Sequence, residues 1–194
     1  MSTETVDRLT AAARECLLAE GYANLSTRRV ADRAGVPLSQ IHYHFGGKQG
    51  LVLALLAAEN SRLVGRQESM YAGDQPLSAR YDQACDFLDD DLASGYVRVL
   101  QEMIAAGWSD RAVADQIGEL LRAWFDVLHS TLTEAEQELG GLGPFTAEDV
   151  ALLVGAAFLG GEAVLLLGDP CWSTSVRRAL RRVGDLIRLG EQRR

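Results

Sequence analysis

The sequence has little lysine and little cysteine. Lys48 is the only lysine among 194 residues, so every other basic side chain is an arginine. Cys16, Cys85 and Cys171 form an odd, widely spaced set without a CxxC pair. That spacing speaks against a disulfide framework or a zinc ribbon and for a reduced, cytoplasmic setting. Runs of β-branched residues are absent, and with them the alternating pattern of strands. The opening stretch MSTETVDRLTAAARECLLAEG has acids but no basic n-region, apolar run or small-residue cleavage site, so no signal peptide is expected. There is no HExxH, no GxSxG and no glycine-rich loop ending in GK[ST]. The expectation is a protein that is not an enzyme, with no catalytic residue, no cofactor and no metal.

Acidic charge dominates overall: 19 Lys and Arg stand against 27 Asp and Glu, a formal net charge of −8. Spread evenly, it would repel nucleic acid. It is uneven. Residues 1–48 hold six bases and five acids, a balance of +1, which leaves −9 for the rest. A small basic element on an acidic body is the asymmetry of an anion-binding head.

Apolar residues recur at spacings of three and four almost throughout, which predicts an all-α chain of about nine helices. Val6, Leu9, Ala13 and Leu17 make the first stripe, and Gly21 is placed to end it in a left-handed cap. Ser26 is set to cap the short helix TRRVADRA, with Val30 and Ala34 inward. Gly35 stops that helix and Pro37 keeps the turn from continuing it. LSQIHYHF then forms a third short helix with Ile41 and Phe45 inward. Two short helices about a tight glycine turn are a helix-turn-helix. After Gly46 and Gly47 a long helix runs from Lys48 to about Tyr71, and further helices are expected at 77–93, 95–107, 110–138, 147–167 and 173–189. The expected domains are 1–47, a helix-turn-helix DNA-binding domain, and 48–194, a larger helical domain. Residues 150–168 are long and apolar enough for a bilayer, but Glu162 interrupts them, and a helix packed on protein is the expectation, with no membrane partner.

His42 and His44 invite a metal reading, yet residues two apart on an α-helix point about 200° apart and cannot chelate one ion. DNA gives them a use. The second helix of a helix-turn-helix enters the major groove and its flanks hold phosphates. Gln40 suits adenine, Ser39 either base type and Leu38 a thymine methyl, while His42, Tyr43 and His44 suit phosphate oxygens. Lys48 stands at a helix N-terminus, where a docked phosphate offsets an otherwise unfavourable cation. Arg28 and Arg29 complete this candidate surface.

The stretch GYANLSTRRVADRAGVPLSQIHYHFGGKQGLVLALL resembles the DNA-binding domain of the TetR (tetracycline repressor-like) family of bacterial transcriptional regulators. The likeness covers about residues 8–56 and rests on Gly21-Tyr22, the Ser26 cap, ADRAGV, the aromatic triplet before Phe45, and Lys48 before LVLAL. It implies a homodimer of nine-helix chains that binds double-stranded DNA at a palindromic operator as a repressor and is released by a small-molecule effector. It assigns Arg28, Ser39, His42, Tyr43, His44 and Lys48 to DNA contact. Leu25, Leu38 and His42 depart from the residues usual in the family. A rival reading, favoured by Leu38 and the net charge, is an all-α small-molecule binding or scaffold protein that has lost DNA binding.

For the regulatory half, Phe87, Tyr96, Met103, Trp108, Trp124, Phe125 and Phe158 are candidate lining of an effector cavity. The run DFLDDD reads as a solvated face. The dimer seam is expected on the last two helices, through Val150, Val154, Ala157, Phe158, Gly161 and Leu165 on one and Val176, Leu180, Val183 and Ile187 on the other. Arg177, Arg178, Arg181 and Arg182 flank the second stripe as solvated groups or partners for acids across the interface.

Overall fold

A computed structural model describes residues 2–192. Among them are nine helices: α1 Ser2–Asn24, α2 Thr27–Ala34, α3 Ser39–Phe45, α4 Lys48–Tyr71, α5 Leu77–Ser94, α6 Tyr96–Gly107, α7 Arg111–Leu139, α8 Ala147–Leu166 and α9 Pro170–Glu191. The described residues contain no strand, only an isolated bridge between Leu142 and Phe145. The all-α reading holds, with each expected helix present. α9 starts at Pro170 rather than 173, because Asp169 caps it, its carboxylate accepting the Trp172 N–H at 2.9 Å with proline in the first turn. α8 opens with a capping box, in which Thr146 and Asp149 each accept the other's backbone N–H.

The chain separates into two compact units, Met1–Arg62 with Gly95–Leu120, and Leu63–Ser94 with Leu121–Arg194. This division does not fall at residue 47. α6 and the first part of α7 belong with the N-terminal helices, while α4 and α7 each contribute to both units.

In the first unit, Leu9, Leu17, Val30, Ile41, Leu51 and Met103 are almost wholly buried, one or more from each of α1, α2, α3, α4 and α6. α1 breaks at Gly21, whose φ is positive as a glycine allows. Its ψ of 170°, however, makes it an extended corner rather than the expected left-handed cap.

The second unit packs α5, α8 and α9 with the later parts of α4 and α7. One cluster holds Met70, Tyr71, Leu128 and Ala151; another holds Tyr81, Leu88, Phe158, Leu165 and Leu180. The Tyr81 hydroxyl donates to the Leu180 carbonyl at 3.0 Å, and burial holds its pKa well above the ordinary range. α5 and α9 run antiparallel, joined by Asp82–Arg188 at 2.8 Å, Asp86–Arg181 at 2.6 Å and Asp89–Arg177 at 2.7 Å. DFLDDD is therefore not simply a solvated face: Asp86 and Asp89 answer arginines of α9, and Asp91 answers Arg66 of α4 at 2.7 Å. Gly184 permits the approach, since a Cβ there would stand 2.6 Å from an Asp82 carboxylate oxygen.

That packing shows how the residues expected at the dimer seam lie within one chain. Phe158, Gly161, Leu165 and Leu180 are buried within one chain, and a Cβ on Gly161 would meet Val176 at 3.1 Å and Leu180 at 3.5 Å. Val150, Val154, Val176, Val183 and Ile187 are half-buried beside them, and of the ten only Ala157 is exposed. The uncovered apolar face lies elsewhere: Leu152, Leu153, Leu166 and Leu167 on and just after α8, with Trp172, Leu186 and Leu189 on α9.

Candidate nucleic-acid interface

α2 is built as its sequence demands. The Ser26 hydroxyl accepts the Arg29 N–H at 3.5 Å, and Gly35 closes the helix in the left-handed region at φ 64°, ψ 37°. A side chain from far away reinforces that end: the Arg8 guanidinium of α1 donates to the Ala34 carbonyl and, at 3.0 Å, to that of Gly35. Cations are favoured at a helix C-terminus, where the last carbonyls lack partners.

Pro37 then leads into α3. Ile41 is fully buried and Phe45 half-buried, so the seven-residue helix sits on its core by one edge. Ser39, His42 and Tyr43 are exposed, Tyr43 at 80 %. Leu38, Gln40 and His44 are half-buried. His44 is braced edge-on between Tyr43, at 4.9 Å between ring centres, and Phe45, at 6.2 Å. Gly46 has φ 73°, and at Gly50 a Cβ would stand 1.9 Å from the Phe45 carbonyl oxygen. No residue but glycine fits there, and the end of α3 is thereby seated directly on the first turn of α4.

Lys48 opens α4. Its ammonium donates to the Ala23 carbonyl at 3.2 Å and lies 4.6 Å from the centre of the Tyr22 ring. Beside it, the Gln49 amide donates to Asp110 at 3.1 Å, and Asp110 also accepts the Ala112 and Val113 N–H groups at the start of α7. These bonds, the Gln49 one first, hold the Asp110 carboxyl below its ordinary pKa. Burial and then the Asp110 charge hold the Tyr22 phenol above its own.

The nine predicted DNA residues thus lie on α2, the turn, α3 and the head of α4, in one compact unit. Arg28 and Arg29 are both exposed, but Arg29 is ion-paired with Glu20, as Arg33 is with Glu15 and Arg14 with Glu59. Among the described residues no three His, Cys, Asp or Glu side chains gather as metal ligands would. Reasoning from the sequence missed Arg8, Arg98, Glu102 and Asp110. Each reaches its partner across 26 residues or more, and no local pattern marks such a tie.

The seven proposed effector residues do not form one lining. Phe87, Trp124, Phe125 and Phe158 gather in the second unit, with Trp124 5.3 Å from Phe125 and 6.4 Å from Phe158, and Arg66 lies over the Phe87 ring at 3.9 Å. Met103 fills the core of the first unit, and the Tyr96 hydroxyl donates to Asn60 at 3.0 Å. Trp108 is 82 % exposed, carried outward by the tight α6–α7 turn, where Gly107 closes on Ala114. A separate open groove of about 490 Å³ runs between α4 and α7 of the second unit, floored by Val64, Tyr71 and Val127 and edged by Glu68, Asp126 and Glu134.

A buried edge, a helical face turned outward and a lysine held at the next helix are the layout of a helix-turn-helix. Residues 9–55 match the family described as bacterial regulatory proteins, tetR family. No curated protein matches over its sequence. Solved structures share the whole fold. A TetR transcription regulator from Haloarcula marismortui is 20 % identical at a TM-score of 0.75, with 95 % of this chain and 96 % of that one covered. A TetR-family regulator from Agrobacterium tumefaciens is 18 % identical at 0.73, covering 94 % and 98 %. FadR from Bacillus subtilis, solved with stearoyl-CoA, is 16 % identical at 0.70, covering 90 % and 96 %.

Proposed function

We propose that the protein is a ligand-responsive repressor that binds a palindromic operator as a homodimer and lets go when a small molecule occupies its regulatory domain, residues 48–194. The observation that carries this reading is the head of α3 and α4: Ser39, His42 and Tyr43 face outward beside a lysine already held at the site where a phosphate would dock. Ser39, Gln40 and Leu38 address base edges, and His42, Tyr43, His44, Arg28 and Lys48 address the backbone. Arg29 contributes by exchanging Glu20 for a phosphate.

Two recognition helices set one turn of DNA apart require two chains, and the apolar face of α8 and α9 supplies the seam. Leu152, Leu153, Leu166, Trp172, Leu186 and Leu189 are too large and too contiguous a set for a free surface. Among the described residues α8 alone is long and apolar enough for a membrane span, and a second copy of the chain accounts for that apolarity. FadR's stearoyl-CoA supports the small-molecule arm of the reading.

The test is selection of duplexes from a randomised pool, followed by titration of the recovered sequence. A two-fold symmetric site, bound with strong salt dependence, is expected. Recovery of no enriched sequence and salt-insensitive binding would sink the proposal. Lys48→Ala should weaken all sequences alike and lower the salt slope by about one, whereas Gln40→Ala should relax base preference at one position.

A further inference from the structure

We infer that Glu102, on α6, is a positioning residue for Lys48, so that α6 sets how well the protein holds the DNA backbone. The inference rests on the reading of Lys48 as a phosphate contact.

α6 meets the end of α1 through two side chains one helical turn apart. Arg98 donates to the carbonyls of Leu17 at 2.6 Å and Leu18 at 2.9 Å, where α1 runs out of intrahelical donors. Glu102 accepts the Tyr22 N–H at 2.6 Å, and its carboxylate lies 3.1 Å from the place a Cβ on Gly21 would occupy. The glycine is thus what admits the carboxylate, and the break in α1 at Gly21 is what presents the N–H. A charge-assisted bond of this kind is short and directional, and it fixes the peptide plane it grips.

The next two residues hold the lysine. The Tyr22 ring lies under the ammonium and the Ala23 carbonyl accepts from it. A lysine side chain has four rotatable bonds and loses much freedom when it is ordered on a phosphate. Here that ordering is done in advance by a backbone segment which α6 pins. An ammonium carries three donors, and the Ala23 carbonyl uses one, so a phosphate can share it.

The experiment measures DNA affinity of the full chain for the selected duplex with Glu102→Ala and Glu102→Gln, each alone and combined with Lys48→Ala. Glu102→Ala is expected to weaken binding about 2- to 10-fold, the range for losing the prior ordering of one long side chain. Glu102→Gln should bind as the parent does, because an amide oxygen accepts the same N–H. In the Lys48→Ala background Glu102→Ala should cost nothing further. An equal loss in both backgrounds, or none in the parent, overturns the inference. Should Lys48→Ala itself leave binding untouched, the phosphate reading of Lys48 falls first and takes this inference with it.

Tyr22 offers a second route should Glu102→Ala unfold the domain. Tyr22→Phe keeps the ring under the ammonium and should bind as the parent does, while Tyr22→Leu should reproduce the loss. Equal binding by the Phe and Leu proteins would likewise overturn the inference.

Discussion

At Gly50 a single hydrogen atom decides whether the recognition helix can be seated. A methyl group there would meet the Phe45 carbonyl oxygen at 1.9 Å, and both are backbone-anchored, so neither can swing aside. Gly50→Ala should therefore cost about 1–3 kcal/mol, the ordinary range for overpacking, and should weaken DNA binding more than the loss of stability explains. Thermal melts and DNA titrations side by side would show this; unchanged binding would mean that the seat is dispensable. Glu191 offers a different kind of test. Burial raises its pKa, but the Ser78 hydroxyl, the Ser78 and Leu77 N–H groups and Arg188 more than offset that and hold it below 4.5. A depressed carboxylate stabilises the fold above its unfolded pKa, and the contribution disappears as the pH falls through the folded one. Wild type should accordingly melt above Glu191→Gln at pH 7, with the gap closing below about pH 4.5. A gap that persists at pH 3 would show that the carboxylate's charge is not what ties α9 to α5.

At the scale of elements, the ladder between α5 and α9 is solvent-screened, each pair contributing about 0.5 kcal/mol. Its worth is register: three pairs in sequence favour one sliding position of α9 over its neighbours. Reversing one rung, Asp86→Arg, should lower the melting temperature by a few degrees, and adding Arg181→Asp should restore part of it; a double variant no better than the single would deny the pairing. Much of the helical layout was legible, because glycine and proline punctuate it. TRRVADRA, capped by Ser26 and closed by Gly35, folds over the residues its spacing indicates, and α4 runs from Lys48 to Tyr71. Which face of α8 the chain buries was not legible, for a physical reason. α8 is apolar on both faces, so its period tells that two stripes exist and not which one the chain keeps for itself. The deciding information lay in the aspartates of α5 and the arginines of α9, whose pairing turns Leu180 and Val176 inward against Gly161. Composition likewise cannot separate Met103 and Trp108 of one unit from Trp124 and Phe125 of the other.

For the whole molecule, the proposed function needs two chains. Leu153→Glu or Leu186→Glu places a charge in the uncovered apolar face of the second unit. Either should convert the dimer to monomer in sedimentation and abolish tight operator binding while the helical content stays intact. A charged variant that remains dimeric would move the seam elsewhere. The acidic body matters too. With −9 beyond residue 48, nonspecific contact between that part of the chain and DNA is repelled, and residues 1–48, at +1, are the part that DNA repels least.

The contact between Gly50 and Phe45 also has a mechanical meaning. α4 has 24 residues and so is about 36 Å long, close to one turn of DNA. A rod of that length that pivots by about 5° moves its far end by about 3 Å, nearly the rise of one base pair. Because Phe45 sits on α4 with no side chain between them, α3 has no slack against that rod. A rotation of the first turn of α4 would therefore carry α3 with it, as in a gear train cut without backlash.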